Sequence, residues 1–365
     1  MNVPKLRFKG FNDEYKVCKL KNVSEIYDGT HKTPNYVDYG VKFVSVENIS
    51  NLLSTTKYIS EADFDKYKIK PKYNDVFMTR IGDIGTSSVY KSDAKLAFYV
   101  SLALLRTKDK DILVPDYLNQ YIKSIFFQRE LNNRTIHVAF PKKINTGEIG
   151  ECNLNLCSKE EQLKVANFLS FLDKKIELQT KKIEDLKLFK LCLNNRLFNG
   201  NKTIKLKDIC ECKSSTISLS DIEYDDGIYP IYGADGEIKK INCYQNDKEY
   251  LAIIKDGAGV GKTIICNKKS SIISTLNALI PNDIPIYYFN ELISKIDFSK
   301  YIVGSGIPHI YFKDYSNEKL YLHSEKEKTL INKLFKNTIV KIELEKNKLQ
   351  LLEALKKGLI QNMFV

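Results

Sequence analysis

The sequence predicts an α+β protein built as a pseudo-two-fold internal repeat: a globular block, a long helix, a second globular block and a second long helix. Three observations predict it. Lys175-Ile176-Glu177-Leu178 recurs as Lys341-Ile342-Glu343-Leu344, an offset of 166 positions. At the same offset Ser158 matches Ser324, Glu161 matches Glu327, Leu186 matches Leu352, Lys190 matches Lys356, Leu193 matches Leu359, and Leu197-Phe198 matches Met363-Phe364. A matched string at one offset over some 40 residues marks a repeat rather than chance. Further upstream, Lys19-Leu20-Lys21 recurs as Lys205-Leu206-Lys207 at an offset of 186, so the second copy is about 20 residues shorter before its tail. The expected divisions are 1–157, 158–200, 201–322 and 323–365.

Taken in order, the first block carries short strand-like runs such as Val41–Val46 and Asp75–Thr79. Polar and glycine turns punctuate them at Asp28-Gly29-Thr30 and Gly82-Asp83-Ile84-Gly85. A helix is predicted from Pro115, with Leu118, Ile122 and Ile125 on one face and proline at its start. Ser158 to Phe198 contains no Gly or Pro and opens with Ser158-x-x-Glu161, a capping-box pattern. The second block repeats the scheme, with strands at Leu251–Ile254 and Thr263–Ile265 and a helix after Pro285. Its tail, Ser324 to Phe364, again opens Ser-x-x-Glu.

Both tails have heptad spacing. Ile176, Ile183 and Leu197 share one position, and Leu172, Leu186 and Leu193 another. The second tail supplies Ile342, Leu349 and Met363, with Leu352 and Leu359. This is a coiled-coil seam, interrupted by Gln179, Lys190, Glu345 and Lys356. A 40-residue helix is roughly 60 Å long, too long to pack on one domain, so each seam is expected to pair with the other.

Composition sets the outer limits. With 43% hydrophobic residues, 11% aromatic and 28% charged, the chain can bury real cores, which excludes disorder and collagen-like structure. No stretch approaches 18 apolar residues, and Met1–Phe11 lacks the hydrophobic core of a signal peptide, so a cytoplasmic protein is expected. The cysteines, Cys18, Cys152, Cys157, Cys192, Cys210, Cys212, Cys243 and Cys266, show no C-x-x-C spacing. With only four scattered histidines they read as reduced, buried thiols rather than zinc ligands. The net charge of +12 favours an acidic partner, of which nucleic acid is the commonest.

Motifs that suggest catalysis fail on chemistry. Gly257–Thr263 resembles a phosphate loop, but the required first glycine is Asp256, and the β-like run after Thr263 offers no helix N-terminus to an anion. A strand–turn–strand hairpin fits better. Asp226 with Glu237-Ile238-Lys239 can be forced into a metal-dependent nuclease pattern, yet such triplets are common in so charged a chain. No catalytic or metal centre is therefore expected. What remains is basic side chains at turns. These are His31, Lys32, Lys42, Arg80, Arg134, Lys142 and Lys143 in the first block, and Lys239, Lys240, Lys255, Lys262, Lys268 and Lys269 in the second. Arg80 and Lys262 stand out because glycine turns let the backbone approach a phosphate closely.

Pro4–Phe11 with Tyr15 and Lys19-Leu20, Asp28–Pro34, Gly40–Val44, Arg80–Gly85, Gly227–Gly233, Asp256–Gly261, Glu160-Glu161-Gln162 through Asp173, and Gly358–Phe364 together carry a resemblance to the specificity subunit of type I restriction–modification systems. It implies two target recognition domains, each reading one half of a bipartite DNA site, and each followed by a conserved helix. The two helices would pair as an antiparallel coiled coil and serve as spacer. It also implies a non-catalytic chain that joins double-stranded DNA to two methyltransferase (M) subunits and to restriction/motor (R) subunits. Those partners would use S-adenosylmethionine, ATP and Mg²⁺ to methylate adenine or cleave DNA. The second helix departs from the pattern at its start, reading Ser324-Glu325-Lys326-Glu327-Lys328 without Glu-Gln. The two blocks differ in sequence, so the half-sites are expected to differ, and a roughly 60 Å spacer limits their separation to about 18 base pairs. The competing readings are a self-contained nuclease or methyltransferase, and a coiled-coil scaffold whose charge is incidental.

Overall fold

A computed structural model of the chain describes residues 3–222 and 227–365. It forms two compact units, Met1–Gln179 with Lys348–Val365, and Thr180–Asn347. The long helices, Lys159–Leu197 and Glu325–Met363, each contribute one stretch to each unit.

In the first unit the strands are β1 (Lys16–Lys19), β2 (Ser24–Asp28), β3 (Val41–Val44), β4 (Tyr58–Ile59), β5 (Val76–Thr79), β6 (Ser87–Val89), β7 (Leu96–Phe98), β8 (Leu102–Thr107) and β9 (Asn153–Leu156). A four-stranded antiparallel sheet runs β2-β8-β5-β6. A smaller sheet runs β4-β3-β7, its β3–β7 pair parallel, and β1 pairs with β9. Both faces of the four-stranded sheet are covered, which is why β5 and β8 read as unbroken apolar runs. Val76, Met78, Ala103 and Leu105 face the helix Pro115–Ile122 and the start of the first long helix, while Phe77, Leu102 and Leu104 face Val44, Tyr90 and Phe98.

The second unit repeats this framework strand for strand. Its strands are β10 (Ile204–Lys205), β11 (Cys210–Ser214), β12 (Tyr229–Gly233), β13 (Gly236–Ile241), β14 (Tyr250–Ile254), β15 (Thr263–Cys266), β16 (Ser271–Ile272), β17 (Leu276–Pro281) and β18 (Lys319–Leu320). The sheets run β11-β17-β14-β15 and β13-β12-β16, with β12–β16 parallel, and β10 pairs with β18. Leu251, Ile253 and Leu279 face the helix Ile286–Ile293, and Ala252, Ile254 and Ala278 face the smaller sheet. Between β2 and β5 the first copy spends more residues than the second does between β11 and β14, and most of the shortening falls there.

Within each unit the two long-helix segments pack antiparallel. In the first, Arg7 pairs with Glu161 while its neighbour Leu6 donates its N–H to the Asn362 carbonyl, and further along Lys356 pairs with Asp173. In the second, Lys182 pairs with Glu345, and Phe198 packs on Phe335 at 6.3 Å. Leu172, Ile183 and Ile342 are buried, and Ile176, Leu186, Leu193, Leu349, Leu352 and Leu359 are half-buried.

The polar interruptions of the seam have partners. Lys190 and Asn194 both bind the buried carboxylate of Glu291. Lys356 at the matching position binds Asp173, which also accepts from Gln120, the counterpart of Glu291. Burial raises the Asp173 carboxyl, but Lys123 and Lys356 outweigh it and hold it below the usual carboxylate range.

The helix starts use the Ser-x-x-Glu pattern in two halves. Glu161 N–H donates to Ser158 Oγ at 3.4 Å, but the Glu161 carboxylate turns instead to Arg7 and Tyr15. At the second start the Glu327 carboxylate reaches back to Ser324 N–H at 3.0 Å. Gln162 accepts from Val114 N–H and donates to the Ile112 and Cys157 carbonyls. The residue matching Val114 is Pro285, which has no N–H to satisfy, so the missing Glu-Gln of the second copy leaves nothing unpaired there. Asn332 instead accepts from the Tyr287 and Tyr288 amides.

All eight cysteines are free thiols. Burial pushes Cys152, Cys157, Cys210 and Cys266 up to about 12, so these four are neutral packing groups. The expectation of buried thiols fails at Cys192 and Cys243, which are exposed.

Candidate nucleic-acid interface

The glycine turns are hairpin tips. β5 and β6 are joined through residues 80–86, with Gly85 N–H donating to the Thr79 carbonyl and Thr79 N–H to the Thr86 carbonyl. Gly85 has φ +97°, and a Cβ there would come within 2.5 Å of the Gln128 amide, so the tip requires glycine. β14 and β15 are joined the same way through residues 255–262. The segment after Gly261-Lys262 is therefore a strand, and the phosphate-loop reading has no helix behind it.

Each tip is braced by a second, later tip. In the first unit Ile136 and Lys143 form a bridge, Lys143 also bridges Ile81, and Gly82 N–H donates to the Lys142 carbonyl at 2.8 Å. In the second unit Val303 and His309 form the bridge, His309 also bridges Asp256, and Gly257 N–H donates to the Pro308 carbonyl at 2.8 Å. The paired tips are thus a repeated device carrying different side chains.

The basic residues singled out from the sequence divide into those held by the fold beneath them and those whose side chains are exposed. Arg80 is the clearest departure from expectation. It is buried, and its guanidinium donates to the Ile144 carbonyl at 3.0 Å and the Val100 carbonyl at 3.1 Å while pairing with Asp28. A rigid fork with those partners braces the hairpin base and has no reach to a phosphate. Lys42 caps the Leu53 and Thr55 carbonyls at 2.7 and 3.1 Å, Arg134 pairs with Glu130 at 3.0 Å, and Lys239 donates to the Ile222 carbonyl at 2.7 Å. His31, Lys32, Lys142, Lys143, Lys240, Lys262, Lys268 and Lys269 are exposed. Of these, the fold brings Lys142 and Lys143 to the Gly82 turn, whereas Lys42 lies apart on β3 of the smaller sheet.

The position matching Arg80 is Lys255, since Ile144 N–H bonds the Arg80 carbonyl and Ile310 N–H bonds the Lys255 carbonyl. Ser214 stands where the first unit has Asp28, so the Arg80–Asp28 pair has no counterpart among the described residues of the second site. Lys255 and Lys313 instead line an open cleft with Ser214, Asn277 and Tyr311. Asp226 of the nuclease pattern lies outside the described residues. Sequence reasoning missed Val138, Phe140 and Ile307, exposed apolar residues on the second tips. Proline or glycine inside each short apolar run was the available signal, because it excludes a buried central strand.

A family model described as the type I restriction modification DNA specificity domain matches residues 12–188 and again 199–354. Among solved structures, the type I restriction–modification S subunit from M. genitalium is 17% identical, with 100% of this chain and 99% of that chain covered, at TM-score 0.72. A second, from work on complex assembly and conformational transition of the type I system, is 13% identical over 97% of this chain and 98% of its own, at TM-score 0.55. At these identities the likeness shows a shared fold.

Proposed function

Because this chain belongs to the type I restriction–modification DNA specificity family, we propose that each of its two units reads one half of a bipartite, asymmetric DNA site. The observation that carries this is the same strand framework built twice, with tips braced by the same backbone bonds but carrying Lys142-Lys143 in one unit and Pro308-His309 in the other. Equal scaffolds whose surfaces carry different side chains meet unequal half-sites. Exposed lysines at the tips supply phosphate contacts, and the neighbouring polar side chains meet base edges.

In this reading the chain does no chemistry. Methyltransferase subunits bring S-adenosylmethionine, and restriction/motor subunits bring ATP and Mg²⁺. The surface for partners is apolar and lies on the long helices. Phe168, Phe171, Leu178, Leu351 and Leu355 are exposed in the first unit, and Leu188, Phe189, Leu330, Leu334, Val340 and Leu344 in the second. Phe168 matches Leu334 and Leu178 matches Leu344 at the repeat offset, so the same helical positions are left open in both copies. Exposed apolar rows of this kind mark protein interfaces. No helix among the described residues is long and apolar enough to cross a membrane.

Charge reversal at the first tip tests the assignment. Lys142→Glu with Lys143→Glu is expected to weaken DNA binding about 10–100-fold and to reduce the slope of log affinity against log salt by about 2, leaving sequence preference intact. Titrations of the assembled complex over a salt series measure both. An unchanged slope would remove the tip from the interface.

A further inference from the structure

The most exposed apolar side chains of the first recognition unit sit on its second tip. Val138 and Phe140 are fully exposed, at 97% and 103%. Cationic Lys142 and Lys143 follow Phe140 after a single proline, and His137 precedes it. The tip is not a loose loop: Ile136 N–H donates to the Lys143 carbonyl at 2.8 Å, and Gly82 ties down Lys142 at 2.8 Å. The ring is held out on a braced support. The second unit repeats the arrangement with Ile307, 68% exposed and followed by Pro308, on a tip closed by two Val303–His309 backbone bonds of 2.9 Å each. Gly304 there has φ +94°, and a Cβ would come within 2.6 Å of the Ile307 carbonyl oxygen, so glycine maintains the tip shape.

Leaving a phenylalanine in water forgoes about 1.5–3 kcal/mol of burial. Doing so on the braced second tip of both repeats, beside the lysines of the first, points to a surface that is anionic outside and apolar within. Duplex DNA is such a surface. Its phosphates take the lysines, and its stacked bases accept an apolar wedge through the minor groove. A membrane interface would need a broad apolar face rather than one ring on a narrow tip.

We propose, resting on the DNA-reading role above, that Phe140 and Ile307 are wedges, each entering the minor groove of its own half-site and part-unstacking one base step. Flexible pyrimidine–purine steps open most easily, so each wedge adds sequence preference at a step where no base edge is hydrogen-bonded. Phe140, being larger, unstacks more than Ile307.

The test uses the full chain assembled with its methyltransferase partners on duplexes carrying the site that methylated-base sequencing assigns to it. 2-Aminopurine is scanned through both half-sites, and a dye pair at the duplex ends reports bending. With the wild-type chain, 2-aminopurine brightens at one step in each half-site and the ends approach. Phe140→Ala is expected to return the first half-site to its free-duplex brightness, reduce the bend, and weaken binding about tenfold with the salt slope unchanged. Ile307→Ala does the same at the second half-site alone, and Phe140→Leu retains most of the signal. Wild-type brightness and bend in Phe140→Ala would overturn the wedge while leaving DNA reading intact. A wild-type complex that binds no duplex specifically would overturn the reading itself and the wedge with it.

Discussion

Replacing Glu161 with alanine is expected to destabilise the first unit by about 3–5 kcal/mol, because it strands a largely buried guanidinium. The Glu161 carboxylate is 1% exposed and receives Arg7 Nε and Nη2 at 2.7 Å each, with the Tyr15 hydroxyl at 3.0 Å. Burial pushes the Tyr15 phenol far above its ordinary value, so it stays protonated and donates. Alanine leaves the Arg7 fork facing a cavity, with the carboxylate that accepted its two N–H groups gone. The segment from Leu6 to Tyr15, tied to the second long helix by the Leu6 N–H bond to the Asn362 carbonyl, should lose its hydrogen-exchange protection first. Glu327 at the matching repeat position only caps a helix, and its removal should cost about 1 kcal/mol. Urea unfolding of the two variants checks the contrast. Equal midpoints would show that the buried pair contributes no more than the cap.

Leu178→Glu combined with Leu344→Glu is expected to abolish assembly with the proposed methyltransferase subunits while leaving the free chain as stable as wild type. Leu178 is 55% and Leu344 64% exposed, so a carboxylate at either site stays hydrated before assembly and costs the fold within about 0.5 kcal/mol. Against a partner, each would bury an unpaired charge at an apolar contact. If each site is worth about 2 kcal/mol, the pair weakens association by close to a thousandfold. Size-exclusion chromatography with the co-expressed partner and thermal unfolding of the chain alone separate the two effects. Retained assembly would place the partner surface elsewhere.

Much of this fold is legible in the sequence because its signals are local. The Lys-Ile-Glu-Leu repeat carries heptad register with it, and glycine turns at residues 82–85 and 257–261 announce hairpins, since only glycine tolerates those backbone angles cheaply. What stays hidden depends on residues far apart in the chain. Arg80 reads as a free cation beside a turn, yet its partners Asp28, Val100 and Ile144 come from three separate segments. Gln162 matters because Val114 has an N–H to satisfy, and Lys328 can replace it because Pro285 does not. Phe140 escapes notice for the opposite reason: an apolar residue is assumed to be core until a structure shows it outside.

The central claim is that two scaffolds of one design read two different half-sites for partner enzymes. Methylated-base sequencing of host DNA with and without this chain tests it most directly, because site, spacing and modified base appear together. The account predicts methylated adenine in a bipartite motif with two unlike halves within about 18 base pairs of each other, present only when the chain is present. Methylation that is unchanged by deleting the chain, or a motif whose halves are identical, would contradict it.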